Sequence, residues 1–213
     1  MIQDYIQRLV ILIPPVLISL TLHEFAHAWA AMRMGDPTAK MLGRLTLNPI
    51  KHLDPLGTIM LFFSGLFGWA KPVPVNPRNF RDYKRGEIVV SAAGPLSNLI
   101  LAVISAVMLQ VLDAAASTFG PQMAWLYTPL YMMAHVGVII NISMAVFNIL
   151  PIPPLDGSHI LAVLLPPRSA RSFEQIQPYG FIILMIFIAS GAFRTIFSPV
   201  IYRLADILIG GAV

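Results

Sequence analysis

Long apolar runs separated by short polar connections dominate this chain and set the elements to expect. Residues 6–33 exceed the ~20 apolar residues that cross a ~30 Å hydrocarbon core. They form a first span, bent at Pro14 and Pro15 and closed by Met34, Gly35, Asp36 and Pro37. Runs over 87–112 and 124–150 predict a second span entered near GPLSN and a third ending in NILPIPPLDG. Apolar character resumes over 158–165. It returns over 179–209, where Gly191, Arg194, Pro199 and Arg203 interrupt it, giving either one span with a surface helix or two short spans. Residues 38–51 are short, basic and β-compatible, which predicts a hairpin at the membrane surface. Residues 55–70 are apolar, short for a crossing and rich in glycine, so a re-entrant or interfacial segment is expected there. The fold class that follows is an all-α polytopic membrane protein, a bundle of about four to six membrane segments in one domain over residues 1–213.

Composition fits this pattern. Of 213 residues, 57% are hydrophobic and 11% charged, and the mean hydropathy is +0.75, far from the balance of a soluble domain. The absence of cysteine excludes disulfides, thiolate metal ligands and thiol catalysis. The net charge of +4 does not point to nucleic acid, because the basic residues cluster between apolar runs. Arg33, Lys40, Arg44, Lys51, Lys71, Arg78, Arg81, Lys84 and Arg85 all fall in the first connection, while residues 113–123 contain none. The connection over 33–87 is therefore expected in the cytoplasm, in a multi-pass protein of the cell membrane. The first apolar run carries HEFAH and lacks a small-residue cleavage site, so it reads as retained. If residues 55–70 do not cross, the first and third spans end on the same side, where HEFAH and LDG can meet.

HEFAH places His23 and His27 one helical turn apart on one face, a spacing that lets two imidazoles reach one zinc ion, with Glu24 able to address a water on it. The chain has five His and three Glu, and Glu24 is the glutamate inside an apolar span, where an unpartnered carboxylate is costly. A third ligand must come from elsewhere, and the candidates are His52, Asp54, His135, Asp156 and His159. Asp156 is favoured because the prolines and glycine of PIPPLDG break the helix, and irregular backbone is tolerated at membrane depth only around a cavity; the competing reading is a helix N-cap. His159 could assist Asp156, replace it, or be an interfacial histidine. His135 suggests a helix-to-helix hydrogen bond and His52 a loop residue. Asn148 could donate to a substrate carbonyl or an oxyanion, or bridge two helices. Asn98 is open between a site role and a tight entry marked by Gly94 and Pro95. Glu87 and Glu174 fall outside the spans, which disfavours a glutamate as third ligand.

HEFAH, GPLSN and NILPIPPLDG together resemble the site-2 protease family over roughly residues 15–165. The resemblance implies an intramembrane zinc metalloprotease that hydrolyses peptide bonds in transmembrane or membrane-proximal segments of substrate proteins. Carried over residue by residue, it makes His23, His27 and Asp156 the ligands of one Zn2+ per chain, Glu24 the catalytic base and Asn148 the substrate-facing asparagine. GRLTLNPIKHLDPLGTIM and GWAKPVPVNP resemble the compact bacterial and archaeal members without a PDZ or CBS domain. The implied partners are a membrane-protein substrate and the lipid bilayer. A substrate helix must expose its backbone to be cut, and residues 38–51 with the loop Lys71–Pro77 are expected to receive it by strand addition. Two rivals remain at this stage: a cation or proton transporter whose path is lined by His23, Glu24, His27 and Asp156, and a zinc-bound membrane adaptor without turnover.

Overall fold

The structure is a computed structural model that describes residues 2–64 and 69–211. Its first helix, α1 (Ile2–Met34), runs through Pro14 and Pro15, and the Ser19 hydroxyl donates to the Pro15 carbonyl at 2.6 Å beside this proline pair. After α2 (Thr38–Met41) and α3 (Pro55–Ser64) come two long helices, α4 (Tyr83–Phe119) and α5 (Ala124–Asn148). The chain ends in α6 (Asp156–Leu164), α7 (Pro167–Glu174), α8 (Gly180–Ala189) and α9 (Ala192–Ile209). Among the described residues, four helical runs are long and apolar enough to cross a membrane: 5–34, 83–119, 121–148 and 167–189. The protein is thus an all-α, multi-pass membrane protein.

α4 is the central helix, packing against both α1 and α5, which also touch each other. Small side chains make the close approach possible. Ala102 and Ala106 of α4 meet Ala134, Val138 and Ile142 of α5, with Ile201 and Ala205 of α9 closing the cluster. A Cβ at Gly137 would lie 2.8 Å from Ser105 Oγ, so glycine leaves room for this hydroxyl at the α4–α5 contact. The interrupted run 179–209 becomes two helices broken at Gly191, whose φ of +74° suits glycine. α9 packs Ile201 and Ala205 against the bundle and leaves Ile196, Val200, Tyr202 and Ile207 exposed.

The hairpin expected over 38–51 does not form. Local capture of the backbone explains this: Asp36 accepts from the Thr38 N–H, Gly43 turns at φ +66°, and the Asn48 side chain caps a 3-10 turn over Pro49–Lys51. Among the described residues, β-pairing is one antiparallel bridge between Leu53 and Ala70, on either side of the 55–70 segment's apolar stretch, with the Lys71 N–H donating to the His52 carbonyl at 2.8 Å. α3 has ten residues, about 15 Å of rise, too short to span; the rest of the re-entrant expectation, at 65–68, lies outside the described residues.

From this bridge a proline-rich strap, Lys71–Pro77, runs along the bundle. Arg44 donates to the Lys71 carbonyl at 2.6 Å at one end. At the other, the fully buried Asp36 accepts from the Asn76 N–H and from Asn79 Nδ2, both at 2.7 Å, as well as from the Thr38 N–H and hydroxyl. Burial alone would push the Asp36 carboxyl up, but these donors hold it below the usual carboxylate range. A depressed native pKa means stability that is present above the unfolded pKa and lost as pH falls through the native one. Asp36→Asn should therefore destabilise the detergent-solubilised protein by ~1–3 kcal/mol near neutral pH, and the gap to wild type in thermal midpoint should narrow in acid. A gap that is absent at neutral pH, or that widens in acid, would contradict this.

Candidate metal centre

α1 presents His23, Glu24 and His27, and α6 begins with Asp156 facing them. His23 Nε2 and His27 Nε2 lie 3.0 Å apart, and each lies 3.3 Å from Asp156 Oδ2. The two rings meet edge to face, with centroids 4.6 Å apart.

The proton positions follow from the chain of hydrogen bonds behind the rings. The Gly137 carbonyl can only accept, so Asn141 donates to it through Nδ2 at 2.8 Å. Asn141 Oδ1 then accepts from Asn98 Nδ2 at 2.8 Å, which turns Asn98 Oδ1 toward His23 Nδ1 at 2.7 Å. His27 Nδ1 faces the Val90 carbonyl, also at 2.7 Å. Both Nδ1 atoms are donors, so in the neutral rings both Nε2 atoms carry lone pairs. These point at one another and at Asp156 Oδ2, a buried oxygen with no hydrogen-bond partner. With both rings neutral, these three converging electron pairs repel one another, and a cation between them relieves the repulsion. A tetrahedral ion with ~2.0–2.1 Å bonds to nitrogen and oxygen spaces its ligands ~3.3–3.4 Å apart, close to the separations here. The donor set thus fits a divalent metal with a preference for imidazole and carboxylate.

Backbone proximity makes the arrangement possible. A Cβ at Gly94 would stand 2.3 Å from His27 Nε2 and 2.5 Å from His23 Cε1, so only glycine lets α4 lie this close to the imidazoles. A Cβ at Gly157 would stand 2.0 Å from the Ile149 carbonyl, so the glycine of LDG lets the start of α6 abut the end of α5. Glu24 Oε2 accepts the Val73 N–H of the strap at 2.8 Å. A cavity of about 1160 Å³ opens beside these groups, lined among others by Leu20, Val73, Phe147 and Asn148.

The candidates named from sequence separate cleanly. His23, Glu24, His27 and Asp156 come together, and Asp156 caps no helix through its side chain. Asn148 faces the cavity and donates to the Met144 carbonyl of its own helix at 3.0 Å rather than bridging two helices. His52 is buried, its Nε2–H donating to the Thr46 carbonyl at 2.8 Å, and Asp54 Oδ1 accepts from the Gly57 N–H; neither joins the centre. His135 makes no helix-to-helix hydrogen bond among the described residues. Asn98, left open from sequence, orients His23. Asn141 and the Val90 carbonyl were not anticipated, since an amide in mid-span and a main-chain oxygen leave no pattern. Glu87, set aside as outside the spans, lies within α4, buried and facing the cavity.

Residues 11–188 match the family described as peptidase family M50. The chain belongs to peptidase family M50. This M50 peptidase is 45% identical over 176 residues to YwhC of Bacillus subtilis, named as a candidate zinc metalloprotease, a match covering 82% of this chain and 78% of that protein. It is 30% identical over 207 residues to Rip2 of Mycolicibacterium smegmatis, similarly named, covering 95% of this chain and 76% of Rip2. A more distant relative is the zinc metalloprotease MJ0392 of Methanocaldococcus jannaschii, 24% identical over 71% of this chain and 33% of its own length. No solved structure matches.

Because Asn98 fixes the His23 tautomer, Asn98→Ala should weaken binding of a divalent metal by about 10–100-fold. Competition against a chromogenic chelator measures this, and unchanged affinity in a folded variant would contradict the assigned role.

Proposed function

We propose that this M50 peptidase is an intramembrane zinc metalloprotease in which His23, His27 and Asp156 hold the metal and Glu24 is the general base. The observation that carries this reading is the convergence of three lone pairs on one point, with a carboxylate one residue along the same helix, inside a cavity among membrane helices. Zinc in such a site supplies Lewis acidity, activating a water and polarising the scissile carbonyl. Glu24 takes the proton released from that water and returns it to the leaving amine. The Val73 N–H fixes the orientation of the Glu24 carboxylate while leaving its second oxygen for this proton transfer. Asn148, at the cavity wall, is suited to donate to the substrate backbone. A transport path would string its polar groups along a route, whereas these meet at one point.

Substrate proteins enter from the bilayer and must present extended backbone. The strap Lys71–Pro77 supports docking by strand addition, but as an acceptor edge. Pro72, Pro74 and Pro77 have no N–H, and the N–H groups of Val73 and Asn76 are engaged by Glu24 and Asp36, so the strap offers carbonyls. Residues 38–51, which form a helix and turns, take no part in this edge. The basic residues of the connection between α1 and α4 support a cytoplasmic location for this end of the bundle.

The test is cleavage of a single-span substrate by detergent-purified protein, with bound zinc measured in parallel for wild type and Glu24→Gln. The expected outcome is about one zinc per chain in both and a loss of at least ~10³-fold in turnover for the variant, since the base is removed while the ligands stay. Zinc without cleavage in either protein favours the adaptor; no zinc in either overturns the metalloprotease.

A further inference from the structure

Glu87 is a carboxylate in the cavity that the proposed chemistry does not use. It is 9% exposed on α4 and lines the cavity together with His159 of α6. His159 Nδ1 lies 3.9 Å from Glu87 Oε2, within ion-pair range but beyond hydrogen-bonding distance, and the His159 side chain is 50% exposed. Among the described residues lining the cavity, the other carboxylates are Glu24 and Asp156, and none is Lys or Arg. Glu24 has the Val73 N–H, and Asp156 belongs with His23 and His27 to the proposed metal site, so each already has an assigned role. A carboxylate withdrawn from water next to apolar walls calls for a cation or donors, and a half-exposed imidazole out of bonding range is a weak substitute.

Position says where the missing cation comes from. Glu87 precedes Gly94, which packs on the imidazoles, by seven residues, about 10 Å along α4 and toward the connection between α1 and α4. An extended chain advances about 3.3 Å per residue, so Glu87 is level with a substrate position about three residues from the scissile bond. That end of the bundle is where this chain concentrates its own Lys and Arg, and membrane segments carry their flanking Lys and Arg on the same side as one another.

We infer that Glu87, with His159 beside it, forms a subsite for a Lys or Arg side chain of the substrate, about two to four residues from the scissile bond on the side of the α1–α4 connection. This rests on the protease reading above. Bound there, the cation completes the Glu87 carboxylate with charge-assisted hydrogen bonds, and specificity resides in the membrane-flanking charge rather than in the residues at the cut itself.

The experiment compares single-span substrates carrying Lys, Met or Glu at each of those positions, with kcat/KM measured for detergent-purified wild type, Glu87→Gln, Glu87→Lys and His159→Lys. Wild type should favour Lys over Met at one position by about tenfold or more, as expected for a charge-assisted bond in a cavity. Glu87→Gln should bring that ratio near one and Glu87→Lys should invert it toward Glu. His159→Lys, a change at an exposed position, should abolish the preference by supplying an internal cation while Glu87 stays in place. A wild type that cleaves but is indifferent to Lys, or a Lys preference that survives in Glu87→Gln or in His159→Lys, overturns the subsite alone. Failure of wild type to cleave any of the substrates overturns the protease reading and the subsite with it.

Discussion

With both rings neutral, three lone pairs, on His23 Nε2, His27 Nε2 and Asp156 Oδ2, approach within 3.0–3.3 Å of one another. In the apolar interior of a bundle this arrangement is unfavourable by itself, because nothing screens the repulsion. It persists because each ring is held from behind. The chain of bonds from the Gly137 carbonyl through Asn141 and Asn98 fixes one imidazole, and the Val90 carbonyl fixes the other. The protein is organised to hold ligands ready for a cation, at a cost in local stability that the ion offsets on binding.

The same constraint explains the small residues around the centre. A metal site between helices needs backbones closer than most side chains allow. Gly94 lets α4 lie against the imidazoles, Gly157 brings Asp156 in from the broken end of α5, and Gly137 and the alanines of α4 and α5 close the bundle behind them. The strap adds the remaining element. It is clamped by Arg44 and Asp36 at its two ends, and its Val73 N–H aims at Glu24 between them, so the base is oriented by main chain rather than by another titratable group.

Much of this was legible in the sequence where spacing and hydropathy carry information. The i, i+4 pair with Glu24 and the break at PIPPLDG marked the residues that meet, and the apolar runs marked the long helices. What was not legible depends on contacts between distant segments. The hairpin expectation over 38–51 failed because Asp36, Gly43 and Asn48 capture the backbone locally, and β-compatible residues say nothing about such capture. Asn141 reads as one amide in an apolar run until Asn98 is found 2.8 Å away. Glu87, at the edge of the run over 87–112, is set outside the spans until α4 is seen to begin at Tyr83, which carries it into the cavity.

The central claim is that two imidazoles and one carboxylate bind one zinc ion. X-ray absorption at the zinc edge of the purified protein tests it most directly. The account predicts a nearest shell of nitrogen and oxygen at ~2.0–2.1 Å with the outer-shell scattering of two imidazoles, falling to one imidazole in His27→Ala. A zinc surrounded by oxygen alone, or a spectrum unchanged by His27→Ala, would contradict it.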